Sequence, residues 1–257
     1  MLLLIDVGNT STTIGFSSNG SIHDVLRLRT TTDVRGKEEY SYILNGIVLR
    51  HKIEKPEGAV ISSVVPEATL PVRNAVRKAF GIGALLVSCN IRTCLKFNIR
   101  KVESLGADRI ADSVAAYRLY NGPLLVIDFG TATTFSYIDA KGHFMGGSIM
   151  PGILLSLDAL VQNTARLPRV ELKGPDKALG RDTAESMISG IMFGHAGAVE
   201  RIVREIRKEI GRDFKVIITG GYANLMAEYV KSDHINPLLT LEGLRIIYEL
   251  NKDMKQT

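Results

Sequence analysis

The sequence contains no tryptophan, and its Lys and Arg residues are scattered among Asp and Glu instead of gathering into runs. Aromatic–basic interleaving of the kind that stacks nucleic-acid bases is therefore missing, and a formal net charge of +5 suits a small anionic substrate as well as a nucleic acid. Cysteine is scarce. Cys89 and Cys94 have neither CxxC spacing nor a neighbouring histidine, and both read as small buried hydrophobes of a reducing cytoplasm. His143 and His195 also lack metal-ligand spacing and receive no role. The first five residues are apolar but have no basic flank and run straight into Asp6, so neither a signal peptide nor a membrane span is expected. The sequon at Asn9-Thr10-Ser11 is then not expected to be glycosylated. A GxxxxGK[ST] loop and a GxGxxG fingerprint are both absent, which disfavours the common folds that seat nucleotides at a helix N-terminus. Low-complexity sequence is lacking too, and disorder is expected only in the polar tail Asn251–Thr257.

What is present is an internal echo. Leu2-Leu-Leu-Ile-Asp-Val-Gly8 returns as Leu124-Leu-Val-Ile-Asp-Phe-Gly130, and each copy continues into a hydroxyl-rich run, Asn9–Thr13 and Thr131–Thr134. A short apolar run before a turn signal reads as a buried strand, and the next apolar stretch, Ile14–Phe16 or Phe135–Ile138, as its hairpin partner. A repeat after roughly 122 residues is too long for a solenoid and suits a duplicated domain. The 257 residues accommodate one large domain or two modest ones. The remainder alternates strands (58–65, 84–87, 215–219) with helices (69–80, 108–120, 183–194, 198–210, 241–250). Alternation of this kind argues for two α/β layers, divided near Asn121-Gly122-Pro123 into domains 1–121 and 122–257. The last helix, about 240–251, is a candidate to pack on the first domain.

Asp-x-Gly at a hairpin points to phosphate. Glycine lets backbone N–H groups approach an anion closely, and the hydroxyls add donors without bulk. A carboxylate beside phosphate is repulsive unless a cation lies between, so Asp6 and Asp128 imply metal ions. The plain alternative is that each Asp only caps its turn, a reading that suits one copy better than two matched ones. Near the end, a strand runs into Thr219-Gly220-Gly221, a small-residue loop where a base or ribose could rest, although a Gly-Gly turn before a helix is also common.

These three elements together resemble the superfamily of acetate and sugar kinases, Hsp70 and actin, and nearly the whole chain resembles type III pantothenate kinases. That closer likeness rests on Asp6–Thr10, Ser62–Pro66, Gly106–Arg109, Asp128–Thr134, Gly146–Gly152, Thr164–Pro168, Gly180–Thr183 and Thr219–Gly221, in that order. The resemblance implies two ribonuclease-H-like domains, an actin-like duplication, with the active cleft between them. It also implies ATP-dependent phosphorylation of pantothenate to 4′-phosphopantothenate, the first step of coenzyme A biosynthesis, in the cytoplasm. Asp6, Val7, Gly8, Asn9, Thr10, Ser11, Thr12 and Thr13 would hold the ATP phosphates, with Asp6 positioning magnesium through water. Thr131 would touch ATP from the second hairpin, and Asp128 would bind a monovalent cation, potassium or ammonium. Gly106, Ala107, Asp108 and Arg109 would bind pantothenate, with Asp108 as proton acceptor. Thr183 would reach the pantothenate of the neighbouring subunit in a homodimer. Neither nucleic acid nor membrane is an expected partner.

The residue chemistry agrees, since the planar guanidinium of Arg109 suits the pantothenate carboxylate. Asp108 also has a plainer reading as a helix N-cap, and Asp182 with Glu185, or Thr183 with Ser186, resembles a helix start. One departure stands out: where many members carry a Tyr about seven residues before Gly106, this chain has Ile99, with Phe97 nearby, which bears on substrate affinity. Three rivals remain. A non-catalytic accessory relative linked to transcription is opposed by the presence of Asp6, Asp108, Arg109 and Asp128. Another small-molecule kinase of the superfamily is opposed by the Gly106–Arg109 segment. An actin- or Hsp70-like binding protein would need more chain than this.

Overall fold

The computed structural model describes residues 1–32, 40–47 and 55–253. Along the chain come β1 (Leu2–Val7), β2 (Ser11–Ser18), β3 (Ser21–Arg29), a helical segment over residues 40–47, β4 (Gly58–Ser63), α1 (Pro66–Phe80), β5 (Ala84–Leu86), the two-residue β6 (Lys96–Phe97) and α2 (Ala107–Tyr120). Then follow β7 (Leu124–Phe129), β8 (Ala132–Ile138), β9 (His143–Pro151), α3 (Ile153–Gln162), α4 (Thr183–Ile210), β10 (Lys215–Thr219), α5 (Ala223–Met226), β11 (His234–Ile235) and α6 (Leu239–Asn251). These form two units. The first comprises Met1–Arg118 and the chain from Leu239 onward; the second is Leu119–Leu238.

In the first unit the sheet order is β3-β2-β1-β4-β5, antiparallel on the β2 side of β1 and parallel on the β4 side. Its centre, β1, is apolar and buried from Leu2 to Ile5, as expected of a strand covered on both faces. Leu3, Ile5 and Val7 join Phe16 and Ile61 in a core closed by Tyr40 and Leu44 and by Val72, Val76 and Phe80 of α1. Helix α1 starts earlier than residue 69 because Pro66 fits the first turn, where no N–H is required. The opposite face meets α6. Gly15 and Gly58 leave room for Leu241 and Tyr248, and Gly243 lets α6 rest on the backbone of Ala111 in α2.

In the second unit the strands run β9-β8-β7-β10-β11, the same order and sense about β7. Leu125, Ile127 and Phe129 pack with Phe135, Val216 and Ile218 against Ile188, Met192, Ala196, Val199 and Val203 of α4. The two units are thus two copies of one ribonuclease-H-like α/β layout. Where the pattern suggests two helices, at 183–194 and 198–210, α4 runs unbroken for 28 residues, because its buried stripe at 188, 192, 195, 196, 199 and 203 never changes face.

Two smaller expectations are corrected. Cys89 and Cys94 are half-buried, not core residues. Asn251 is not the start of a loose tail: its side chain is buried, accepts the Arg92 N–H at 3.1 Å and donates to the Arg92 carbonyl at 2.8 Å. The rest of the expected tail beyond residue 253 lies outside the described residues. No helix among the described residues is long and apolar enough to cross a membrane.

Candidate active site

The first hairpin turns between Val7 and Thr12, which are cross-strand partners. The Gly8 N–H closes the turn on the Ser11 carbonyl at 3.0 Å, leaving Asn9 and Thr10 exposed at the tip. Below the tip, Thr12 is fully buried. Its hydroxyl meets Thr30 Oγ1 at 3.0 Å and Tyr40 Oη at 3.4 Å, and Thr30 donates to the Gly8 carbonyl at 2.6 Å. Asp6 is half-buried at the end of β1, in register with Thr13 on one side and Ser62 on the other.

The second hairpin repeats this with one residue fewer. Phe129 pairs with Thr133, and the Gly130 N–H closes on the Ala132 carbonyl at 3.2 Å, leaving Thr131 at the tip. Asp128 is in register with Thr134 and Thr219, as Asp6 is with Thr13 and Ser62. Thr131 also accepts the Gly152 N–H at 3.0 Å, and any side chain at 152 would strike the Gly130 and Thr131 carbonyls. Gly220, at φ +94, lies so close to Asp128 that a Cβ there would collide with the carboxylate. The Thr219-Gly220 turn, read from sequence as a bed for a base or ribose, therefore also walls in Asp128. Beneath the turn, Thr133 is fully buried and its hydroxyl lies 2.9 Å from Nε2 of His195, whose ring packs near Phe129 with centroids 6.1 Å apart. Burial pushes the His195 pKa down, which favours the neutral ring.

Gly106, Ala107, Asp108 and Arg109 form the entry to α2. The Ile110 N–H bonds to the Gly106 carbonyl at 3.1 Å, which puts Asp108 inside the first turn, past the cap position. Its carboxylate accepts the Arg109 N–H at 2.7 Å and folds back over Gly106, where a Cβ would strike it. An N-cap would instead accept from two or three residues ahead. Burial raises the Asp108 pKa, opposed by the Arg109 N–H and guanidinium. Burial lowers the Arg109 pKa against the pull of Asp108 and Asp112. Val64 links this turn to the first hairpin. Its N–H donates to the Val7 carbonyl at 3.1 Å, and its side chain lies 3.5 Å from where a Cβ on Gly106 would stand. The structure thus brings Asp6–Thr13 and Gly106–Arg109 together around β4, within one unit.

Thr183 is exposed in the first turn of α4. Asp182 is the cap, accepting the Glu185 N–H at 2.8 Å, while Glu185 accepts the Arg181 N–H at 2.8 Å. The Asp182–Glu185 alternative is therefore the one found, leaving the Thr183 side chain outside the cap. Phe97 and Ile99 are half-buried.

A family model for type III pantothenate kinase matches residues 2–205. The chain belongs to the type III pantothenate kinase family. One member, the type III pantothenate kinase of Exiguobacterium sp., is 39% identical over 256 residues, covering 98% of this chain and 100% of the relative. A second, from Agathobacter rectalis, is 40% identical over 252 residues, 96% of each. Among solved structures, a conserved putative Baf family transcriptional activator from Campylobacter jejuni superposes with a TM-score of 0.62 at 20% identity over 98% of this chain and 99% of its own, a likeness of fold.

Sequence reasoning gave His195 no role, and it met Val64 and Gly152 only within the motifs Ser62–Pro66 and Gly146–Gly152, without a task of their own. A lone histidine in an apolar stripe gives no signal by itself; only the pairing of β7 with β8 brings Thr133 above it. For cations, no cluster of three or more His, Cys, Asp or Glu side chains stands ready among the described residues. The buried hydroxyls of Ser62 and Thr219, in register beside Asp6 and Asp128, have no hydrogen-bond partner among the described residues. Each carboxylate thus has spare hydroxyl capacity beside it, which fits a hydrated or oxygen-ligated cation better than an all-carboxylate cage.

Proposed function

We infer that this protein phosphorylates pantothenate at the expense of ATP, giving 4′-phosphopantothenate for coenzyme A biosynthesis. The observation that carries the chemistry is Asp108: a half-buried carboxylate past the helix cap, pressed over Gly106, the residue whose turn Val64 links to the first hairpin. Asp108 accepts the proton of the pantothenate hydroxyl as its oxygen bonds to the γ-phosphorus and the bond to the ADP oxygen breaks. Phosphoryl transfer depends chiefly on positioning and charge neutralisation, so this base adds about 10²–10⁴-fold. Arg109 binds the pantothenate carboxylate, and its own partly buried guanidinium gains from that countercharge. Backbone N–H groups and hydroxyls at the tip of the first hairpin, Asn9 to Ser11, hold the phosphates above the buried Thr12, and Thr131 adds a contact from the second copy.

Asp6 would hold magnesium through water, and Asp128, with Thr219 beside it and Gly220 as its wall, would hold potassium or ammonium. Bound cations would neutralise the phosphate charge that these carboxylates otherwise repel. Thr183, left outside the Asp182 cap, is available to a partner's pantothenate. A homodimer is also supported by exposed Phe193, Leu155 and Leu179 on the same unit. A cytoplasmic location accompanies this reading.

The test is formation of 4′-phosphopantothenate, followed by mass spectrometry, from ATP and pantothenate in potassium and in sodium. Product in potassium and little in sodium is expected. Absence of product in both would sink the kinase reading and favour a non-catalytic relative.

A further inference from the structure

We propose that His195 is a positioning residue of the second phosphate hairpin, fixing the turn at Gly130–Thr131 through the hydroxyl of Thr133. The proposal rests on the reading of that hairpin as an ATP contact. Its first support is direct geometry. Thr133 is the cross-strand partner of Phe129, so it is the residue at which β8 leaves the turn, two positions beyond Thr131. It is wholly buried, and its hydroxyl lies 2.9 Å from His195 Nε2. His195 also packs near Phe129, so one imidazole touches both strands of the hairpin at the last pair before the turn.

The second support comes from the duplication. The register that pairs Phe129 with Thr133 pairs Val7 with Thr12 in the first copy. Thr12 is likewise wholly buried, and its hydroxyl is likewise held from outside the hairpin, by Thr30 and Tyr40. Two copies have kept an anchored threonine at one register position while recruiting unrelated partners, a histidine on a helix in one and a threonine and tyrosine in the other. A core polar bond needed only for folding has no reason to recur at the root of both turns. The shared requirement is a turn whose backbone N–H groups stay aimed at phosphate, since preorganised donors bind an anion without reordering cost.

The neutral ring that burial favours is suited to this. Either tautomer makes the bond, since Nε2 accepts from or donates to the Thr133 hydroxyl. Phenylalanine at 195 would keep the packing and lose the bond. Glutamine would retain a polar group of comparable reach.

The experiment compares His195→Phe, Thr133→Val, the double variant and His195→Gln. ATP affinity is measured by titration calorimetry without pantothenate, and melting temperature and pantothenate KM are measured alongside. Thr131→Val is the control for the hairpin reading. One hydrogen bond translates to about a 3- to 10-fold loss of ATP affinity in each single variant. The double variant is expected to be no worse than either single, pantothenate KM unchanged, and His195→Gln to recover most of the loss. Should His195→Phe fail to fold, Thr133→Val and His195→Gln carry the same test. If His195→Phe and Thr133→Val lower only the melting temperature while Thr131→Val weakens ATP binding, His195 is structural and the proposal is overturned. If Thr131→Val also leaves ATP affinity unchanged, the hairpin is not an ATP contact and the proposal falls with that reading.

Discussion

At the scale of single residues, Asp108 carries two opposed demands. Its carboxyl pKa is raised, chiefly by burial, so the folded state binds its proton more tightly than the unfolded chain does. The favourable contribution is then full below the ordinary carboxylate range and is lost as pH rises through the raised value. The ionised carboxylate is thus the form that folding disfavours. Asp108→Asn should therefore melt no lower than the native protein, and higher at neutral pH, while losing activity. Differential scanning fluorimetry and kcat measured on the same preparation check this. The acid limb of kcat/KM should lie above the ordinary aspartate range, since the base works only when deprotonated. At Gly220 an alanine would combine a positive φ with a collision against Asp128. Gly220→Ala should blunt potassium activation by an order of magnitude or more and cost about 1–3 kcal/mol of stability. A potassium titration of the rate alongside denaturant unfolding measures both. Asp108 was visible in the sequence as an acid before an apolar helix, but its escape from the cap position was not. Capping depends on which N–H groups the carboxylate reaches, and that is a matter of backbone geometry.

At the scale of elements, the two hairpins were legible because each begins as a continuous apolar run broken by Asp-x-Gly. Their relative slip was not. The copies align Asp6 with Asp128, yet Thr12 aligns by register with Thr133, because the second turn has one residue fewer. Only cross-strand pairing reveals this. The third strands, β3 and β9, went unnoticed for another reason: they carry no continuous apolar run and keep much of their surface exposed. Helix α4 looked broken because Gly190, Gly194 and Gly197 interrupt it. All three are exposed, on the face away from the buried stripe, and a Cβ at any of them meets nothing within 4 Å. The stripe decides the helix, and the glycines cost it about 0.5–1 kcal/mol each relative to alanine. If that bare face is where two copies meet, Gly194→Arg should dissociate the dimer in analytical ultracentrifugation and abolish turnover. Gly194→Arg with an unchanged sedimentation coefficient would show that this face is not an interface.

At the scale of the whole molecule, the sheet order about β1 and the order about β7 are the same, so one layout serves twice. The units are not contiguous in sequence, because α6 belongs with the first. It buries Leu239, Leu241, Leu244, Ile246 and Ile247. At about 1.5–3 kcal/mol for each fully buried apolar side chain, this helix contributes on the scale of a domain's entire net stability. Ending the chain at residue 238 should therefore strip hydrogen-exchange protection from β1 while leaving β7 protected. The apolar period of the last helix was readable. Its return to the first unit depends on three glycines, at 15, 58 and 243, whose purpose appears only when Leu241, Tyr248 and Ala111 are seen above them.

The central claim is that Asp108 takes the proton during transfer from ATP to pantothenate. The most direct test measures kcat for 4′-phosphopantothenate formation and, separately, ATP affinity in Asp108→Asn. A fall in kcat of about 10²–10⁴-fold with ATP affinity within twofold of native is the predicted result. Turnover near the native rate in a variant that still binds both substrates would contradict it.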